Sequence, residues 1–195
     1  MKKLGIAFLL VLFLGSAPAF SAGGKFSLAL SAEAVVPIGD FAKSFNIGYG
    51  IGETLSYRFL RMLSVFADMT FQFVPRDNSD YGPNMTASGG SFRFLSIVPG
   101  VKVIFPAGNK IDIFGLSGFG VFFRSRSDLD VRGQGWWSKT YWYSNTKVGF
   151  VLGGGTEFSV SKAISLVPEF RLTLILLEDD VQSYLSFRFG GKYKF

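Results

Sequence analysis

Charged residues recur on the polar side of alternating segments: Glu33, Asp68, Lys102, Glu157, Glu169, Arg171 and Arg188. Two carboxylates held together can divide general acid and base work between them. Acids and bases are interspersed here, however, and an ion network is the plainer use of such a mixture. The group that most often moves protons is absent, because the chain contains neither His nor Cys. Ser-His and Cys-His nucleophilic chemistry is thereby excluded, as are zinc ribbons and disulfides. Asp128, Asp130 and Asp179-Asp180 lack the ligand spacing of a calcium loop. No cofactor and no metal is expected.

Glycine clusters at Gly115-Leu-Ser-Gly-Phe-Gly120 and at 153–155. A phosphate loop needs its glycines to open a helix, and both clusters sit inside strand-like sequence. Relief of crowding between packed strands explains them better. Trp136, Trp137, Tyr141, Trp142 and Tyr143 form the densest aromatic cluster in the chain. Tyr141 to Tyr143 fit an interfacial girdle beside a strand end. Trp136 and Trp137 lie in Gly-flanked sequence and fit a loop binding surface equally well. The sequon Asn84-Met-Thr86 is read as chance.

The elements that carry these residues have a period of two. Lys25 to Val36 sets Phe26, Leu28, Leu30, Ala32, Ala34 and Val36 against Ser27, Ser31 and Glu33. Leu63 to Phe73 sets Val65, Ala67, Met69 and Phe71 against Ser64, Asp68, Thr70 and Gln72. Segments 148–158, 165–174 and 185–195 behave likewise. Asn46 to Tyr57 has one flaw, Glu53, which falls on the apolar side unless a bulge turns it inward. Phe92 to Phe105 shifts phase near Leu95, as a bulge would make it do. Ile111 to Phe123 does not reveal its faces.

Eight strands result, joined by connections that alternate between long and tight at 37–45, 58–62, 75–91, 106–109, 125–140 and 160–163, with 177–182 intermediate. That is an all-β plan: an eight-stranded antiparallel up-and-down transmembrane β-barrel, with both termini at the short-turn end. A soluble barrel would turn its apolar face inward. Phe occurs 23 times and Gly 24 times in 195 residues. A barrel of eight strands has an interior only just wide enough for its side chains. The bulky faces are therefore assigned to lipid and the Gly, Ser and Thr faces to the lumen.

Residues 1–21 read as a secretory signal. Lys2 and Lys3 precede the apolar run Leu4 to Leu14, which is shorter than the roughly 20 residues a spanning helix needs. Cleavage after Ala19 or Ser21 puts a small residue at −3. The barrel domain then occupies 22–195. Loss of two lysines lowers the formal charge from +6 to +4. Charge this thinly spread is no nucleic-acid footprint.

The C-terminal run Tyr184-Leu-Ser-Phe-Arg-Phe-Gly-Gly-Lys-Tyr-Lys-Phe195 resembles the terminal assembly signal of bacterial outer-membrane proteins. Phe195, Tyr193, Phe189, Phe187 and Leu185 match that signal, and Gly191 departs from it. The mature chain resembles the small outer-membrane β-barrel family of OmpA- and OmpX-type domains, as do Pro37-Ile-Gly-Asp-Phe41 and Gly153 to Glu157. The resemblance implies residence in the bacterial outer membrane. It also implies contact with outer-membrane lipid and recognition of the last strand by the barrel assembly machinery. Barrel enzymes of such families rely on an active-site His, which is missing here. Two functions stay open. One is a non-enzymatic surface barrel acting through its extracellular loops in envelope integrity, adhesion or binding of an extracellular partner. The other is a narrow, porin-like passage for small or hydrophobic solutes. Asp68, Glu157, Glu169, Arg171 and Arg188 are expected to form a charge network that fills the lumen.

Overall fold

A computed structural model describes residues 26–79, 85–133, 136–141, 143–178 and 180–195. The expected signal segment, Asn84, Trp142 and Asp179 lie outside the described residues. The strands are β1 (Phe26–Ile38), β2 (Gly48–Arg58), β3 (Leu63–Val74), β4 (Thr86–Gly89), β5 (Phe92–Pro106), β6 (Ile111–Arg126), β7 (Leu129–Gly133), β8 (Trp136–Thr140), β9 (Tyr143–Ser159), β10 (Ile164–Leu176) and β11 (Val181–Lys194). Eight of them close a barrel in the order β1-β11-β10-β9-β6-β5-β3-β2. The pairing is antiparallel throughout, and β11 meets β1 with Arg188 opposite Glu33.

Alternation builds the wall because successive side chains point to opposite faces of a strand. Phe187 and Phe189 are 58 % and 60 % exposed on the outer face, while Ser186 and Arg188 between and beside them are buried. The same division holds on β3, where Val65, Ala67 and Phe71 are outside and Ser64, Asp68, Thr70 and Gln72 are inside.

Three expectations are corrected, and the open question of Glu53 is answered. β5 has no phase shift near Leu95: its register with β3 and with β6 is constant on both sides of that residue. Phe92, Phe94, Val98 and Ile104 simply face inward beside outward Leu95 and Ile97, so the strand is apolar on both faces. No bulge rescues Glu53 either. It pairs with Leu30 on one side and Met69 on the other and shares their outer face. The lumen is not lined only by small residues and charges. Phe66, Phe92, Phe94, Phe114 and Phe122 are buried in it. Glycines opposite make this fit: a Cβ on Gly100 or Gly118 would approach the Phe66 ring, and one on Gly149 would lie 2.9 Å from Phe122. Finally, two of the long connections contain strands. β4 from one and β7 and β8 from the other form a separate sheet, ordered β4-β7-β8, at the long-loop end.

The connection between β1 and β2 folds back toward the lumen. Gly39 has φ +62, which favours glycine, and it opens a 3-10 turn over Gly39–Lys43. That turn carries Phe41 into contact with Phe45, Phe92 and Phe94, with ring centroids 4.7, 6.0 and 6.3 Å away.

Candidate functional site

Inward residues stack in tiers along the barrel axis. In the middle tier, β3 supplies Asp68, β10 supplies Glu169 and Arg171, and β11 supplies Arg188. Arg171 Nη1 lies 2.8 Å from Asp68 Oδ2, and Arg188 Nη1 lies 3.0 Å from Asp68 Oδ1. Thr54 donates to Oδ1 at 2.5 Å and Thr70 to Oδ2 at 2.7 Å. A carboxylate offers about four lone-pair sites, and all of Asp68's are occupied. Arg171 also pairs with Glu169. Arg188 reaches Glu33 and Glu169 at 3.6 Å each and donates to Ser31 at 2.9 Å.

Lys102 completes the tier, 3.8 Å from Glu169 and 3.9 Å from the Phe114 ring centroid. Three cations therefore face three carboxylates in a buried space. Isolated charges there would be expensive, and mutual pairing offsets much of their desolvation.

Glu157 stands apart from this group. It lies at the short-turn end with Lys192 and Lys194, both at 2.7 Å, and accepts from Ser165 at 3.0 Å. The structure thus brings together Asp68, Glu169, Arg171 and Arg188 and leaves Glu157 in a second cluster. Glu33 and Lys102 were visible in the sequence as polar-face charges, but their place in the central group was not.

Above the middle tier lies an aromatic one. Tyr184 donates to Gln72 Oε1 at 2.8 Å and packs 6.0 Å from Phe94. Val35, Val74 and Ile175 are fully buried in the same cluster. At the mouth, the guanidiniums of Arg124 and Arg126 stand 5.0 and 5.8 Å from the Phe92 ring centroid. A cavity of about 20 Å³ beside Thr54, Lys102, Glu169 and Arg188 has room for about one water molecule. Among the described residues, no cluster of three or more acids is arranged to hold a metal.

The long-loop end carries the exposed groups. On the small sheet, Thr86, Arg132 and Trp137 are aligned across β4, β7 and β8. Trp137 is 60 % exposed and Tyr141 71 %. Trp136 opposes Gly133 on β8, and Tyr143 is the first residue of β9. Lys139 binds Asp128 at 3.0 Å, and that contact raises the lysine's affinity for its proton. A hydrogen bond from Lys43 holds the Asp40 carboxyl below its ordinary range, and Lys147 does the same to Glu178. The opposite end holds the start of β1 and the end of β11. Phe195 N–H donates to Phe26 O at 3.0 Å, and its ring lies 5.1 Å from that of Tyr193.

With this geometry, the chain matches the family model for the outer membrane protein beta-barrel domain over residues 7–195. No curated protein matches it. Among solved structures it is similar to the attachment invasion locus protein Ail of Yersinia pestis. That match has 15 % identity and a TM-score of 0.54, and covers 89 % of this chain and 100 % of that one. Neisserial surface protein A is similar at 16 % identity and a TM-score of 0.58, covering 87 % and 97 %. The outer membrane protein OprG of Pseudomonas aeruginosa is similar at 12 % identity and a TM-score of 0.58, covering 89 % and 96 %. Identities this low speak to the fold.

Proposed function

The chain belongs to the outer membrane protein beta-barrel domain family of the bacterial outer membrane, and from that premise we propose that it is a non-conducting, non-enzymatic surface protein working through its extracellular loops. One observation carries the reading: the lumen is closed twice in series. Asp68 ties Arg171 and Arg188 together across the middle. The Phe41, Phe92, Phe94 and Tyr184 cluster closes the space above them. The small cavity lies beside the charged layer toward Lys192 and not among these rings, and with room for about one water molecule it is too small to carry a water path.

What remains available is the rim. β4, β7 and β8 offer a hydrogen-bonded platform instead of irregular loops. Its exposed Arg132 and Trp137, with Tyr141 just past the end of β8, are the residue types that dominate binding hot spots. One structural neighbour is an attachment invasion locus protein. An attachment role for this chain is proposed on its own rim residues.

Purified protein in planar bilayers tests the closed lumen, and the expected record is a flat baseline. Stable stepwise conductance would replace this reading with the passage protein. Binding of intact cells to host or envelope surfaces tests the rim. Trp137→Ala and Arg132→Ala together should reduce it while the barrel still folds and reaches the surface.

A further inference from the structure

Glu53 is unused by the lumen network, and it is on the wrong side of the wall. Its row runs Gly191, Leu30, Glu53, Met69, Ile97 across β11, β1, β2, β3 and β5, all facing outward. Near the middle of β2, this face meets hydrocarbon. The other barrel-strand charge on the outer face among the described residues is Arg93, at the long-loop end of β5. Both Glu53 carboxyl oxygens are shielded and have no hydrogen-bond partner. The residue is 6 % exposed, so in a single chain the carboxyl lies folded against the wall.

The wall around it is indented. Ala32 and Ala67 are exposed on the two neighbouring rows and Ala34 one row further, and a Cβ on Gly191 would meet nothing within 4 Å. Leu30 and Ile51, 51 % and 63 % exposed, project beside these small residues. Knobs and hollows of this kind allow two walls to approach closely, as small residues do between membrane helices.

We propose that the outer face of β1, β2 and β3 is a lateral contact between two copies of this chain, with Glu53 of each copy at a twofold axis. A protonated carboxyl carries one donor and one acceptor. Two of them facing each other satisfy both groups without any other polar residue. An isologous contact places the same patch on both partners, so one central polar residue is its own complement. A partner of different sequence would need a polar group of its own at that depth. Lipid headgroups lie at the interfaces and do not reach it. Pairing requires the carboxyl to rotate outward from the wall.

The chain has no cysteine, so single-cysteine variants report proximity cleanly. Ala67→Cys and Ala32→Cys should give a disulfide-linked dimer in native outer membranes. Phe150→Cys, on the outer face of β9, should not. Adding Glu53→Leu to Ala67→Cys should weaken association about tenfold, the equivalent of one or two intramembrane hydrogen bonds. Glu53→Gln, which keeps a donor and an acceptor, should retain it. Heat-dependent gel migration confirms that each variant is folded. Equal crosslinking at Ala67 and Phe150, a crosslink to a different protein, or a Glu53→Leu variant that dimerises as well as the parent would each overturn the proposal.

Discussion

Asp68 and Arg188, 120 residues apart in the chain, meet at 3.0 Å inside the barrel. The same carboxylate holds Arg171 on its other oxygen at 2.8 Å. One acid therefore separates two guanidiniums and joins β3 to β10 and β11 without any backbone pairing between them. Replacing it with Asn turns an amide NH₂ toward one of the cations and removes the charge both depend on. Asp68→Asn should lower unfolding stability by about 3–5 kcal/mol, the usual penalty for breaking a buried pair. Glu169→Ala should also be clearly destabilising, because it leaves Lys102 and Arg171 short of a partner. Thr54→Val and Thr70→Val should each cost about 1 kcal/mol, as one hydrogen bond does. Urea titration in micelles or liposomes measures the series. An Asp68→Asn variant as stable as Thr54→Val would refute the central place given to Asp68.

Glycine on β2 makes the room that Arg188 occupies. A Cβ on Gly52 would overlap Arg188 Nη2 and lie 3.2 Å from Ser31 Oγ. The guanidinium end is flexible, but moving it gives up its bonds to Asp68 and Ser31. Gly52→Ala should therefore destabilise by about 1–3 kcal/mol. Gly115 is the control. It faces outward, and a Cβ there meets nothing closer than Gly153 O at 3.9 Å. Gly115→Ala should be neutral or stabilising by up to about 1 kcal/mol, since it restricts the unfolded chain. Equal effects at the two sites would show that glycine matters here for backbone freedom and not for space.

These two glycines mark how far the sequence could be read. Where a strand contrasts bulky apolar with small or polar residues, as at Phe187, Arg188 and Phe189, the faces follow from the period. At Phe92, Phe94, Leu95 and Ile97 both faces are apolar, so alternation carries no contrast, and the misplaced bulge came from that. Which charges would meet depended on how strands distant in sequence stack across the lumen. Asp68 therefore emerged as the hub, and Glu157 moved to the short-turn end. The short segments 86–89, 129–133 and 136–140 pair in the order β4-β7-β8, and none of them alone looks like a strand.

Phe195 follows the last residue of β11. Its backbone N–H bonds to Phe26 O and its ring touches Tyr193. Together with Tyr193, Phe189 and Phe187 it is proposed as the strand signal read by the assembly machinery. Deleting Phe195 should reduce the folded, heat-shifted band in the outer-membrane fraction while export to the periplasm continues. Refolded in vitro, the same variant should lose only about 1 kcal/mol. Unchanged surface abundance, or a large loss of intrinsic stability, would remove the signal reading.

Glu178 lies in the connection between β10 and β11 and meets Lys147 of β9 at 2.7 Å. The hydrogen bond from Lys147, helped by its charge, holds the carboxyl below the usual glutamate range. A folded-state value below the unfolded one means the contact stabilises fully above about pH 4.3, the ordinary glutamate value. That stabilisation is lost as pH falls through the lower folded value. The pair is exposed and should weaken with salt, since the screening length is about 10 Å at 0.1 M. Carboxyl-detected NMR should place the Glu178 midpoint below that of a free glutamate. Lys147→Ala should move it back up, and salt should do so in part. A midpoint that ignores both changes would mean that the loop is not tethered to β9 by this pair.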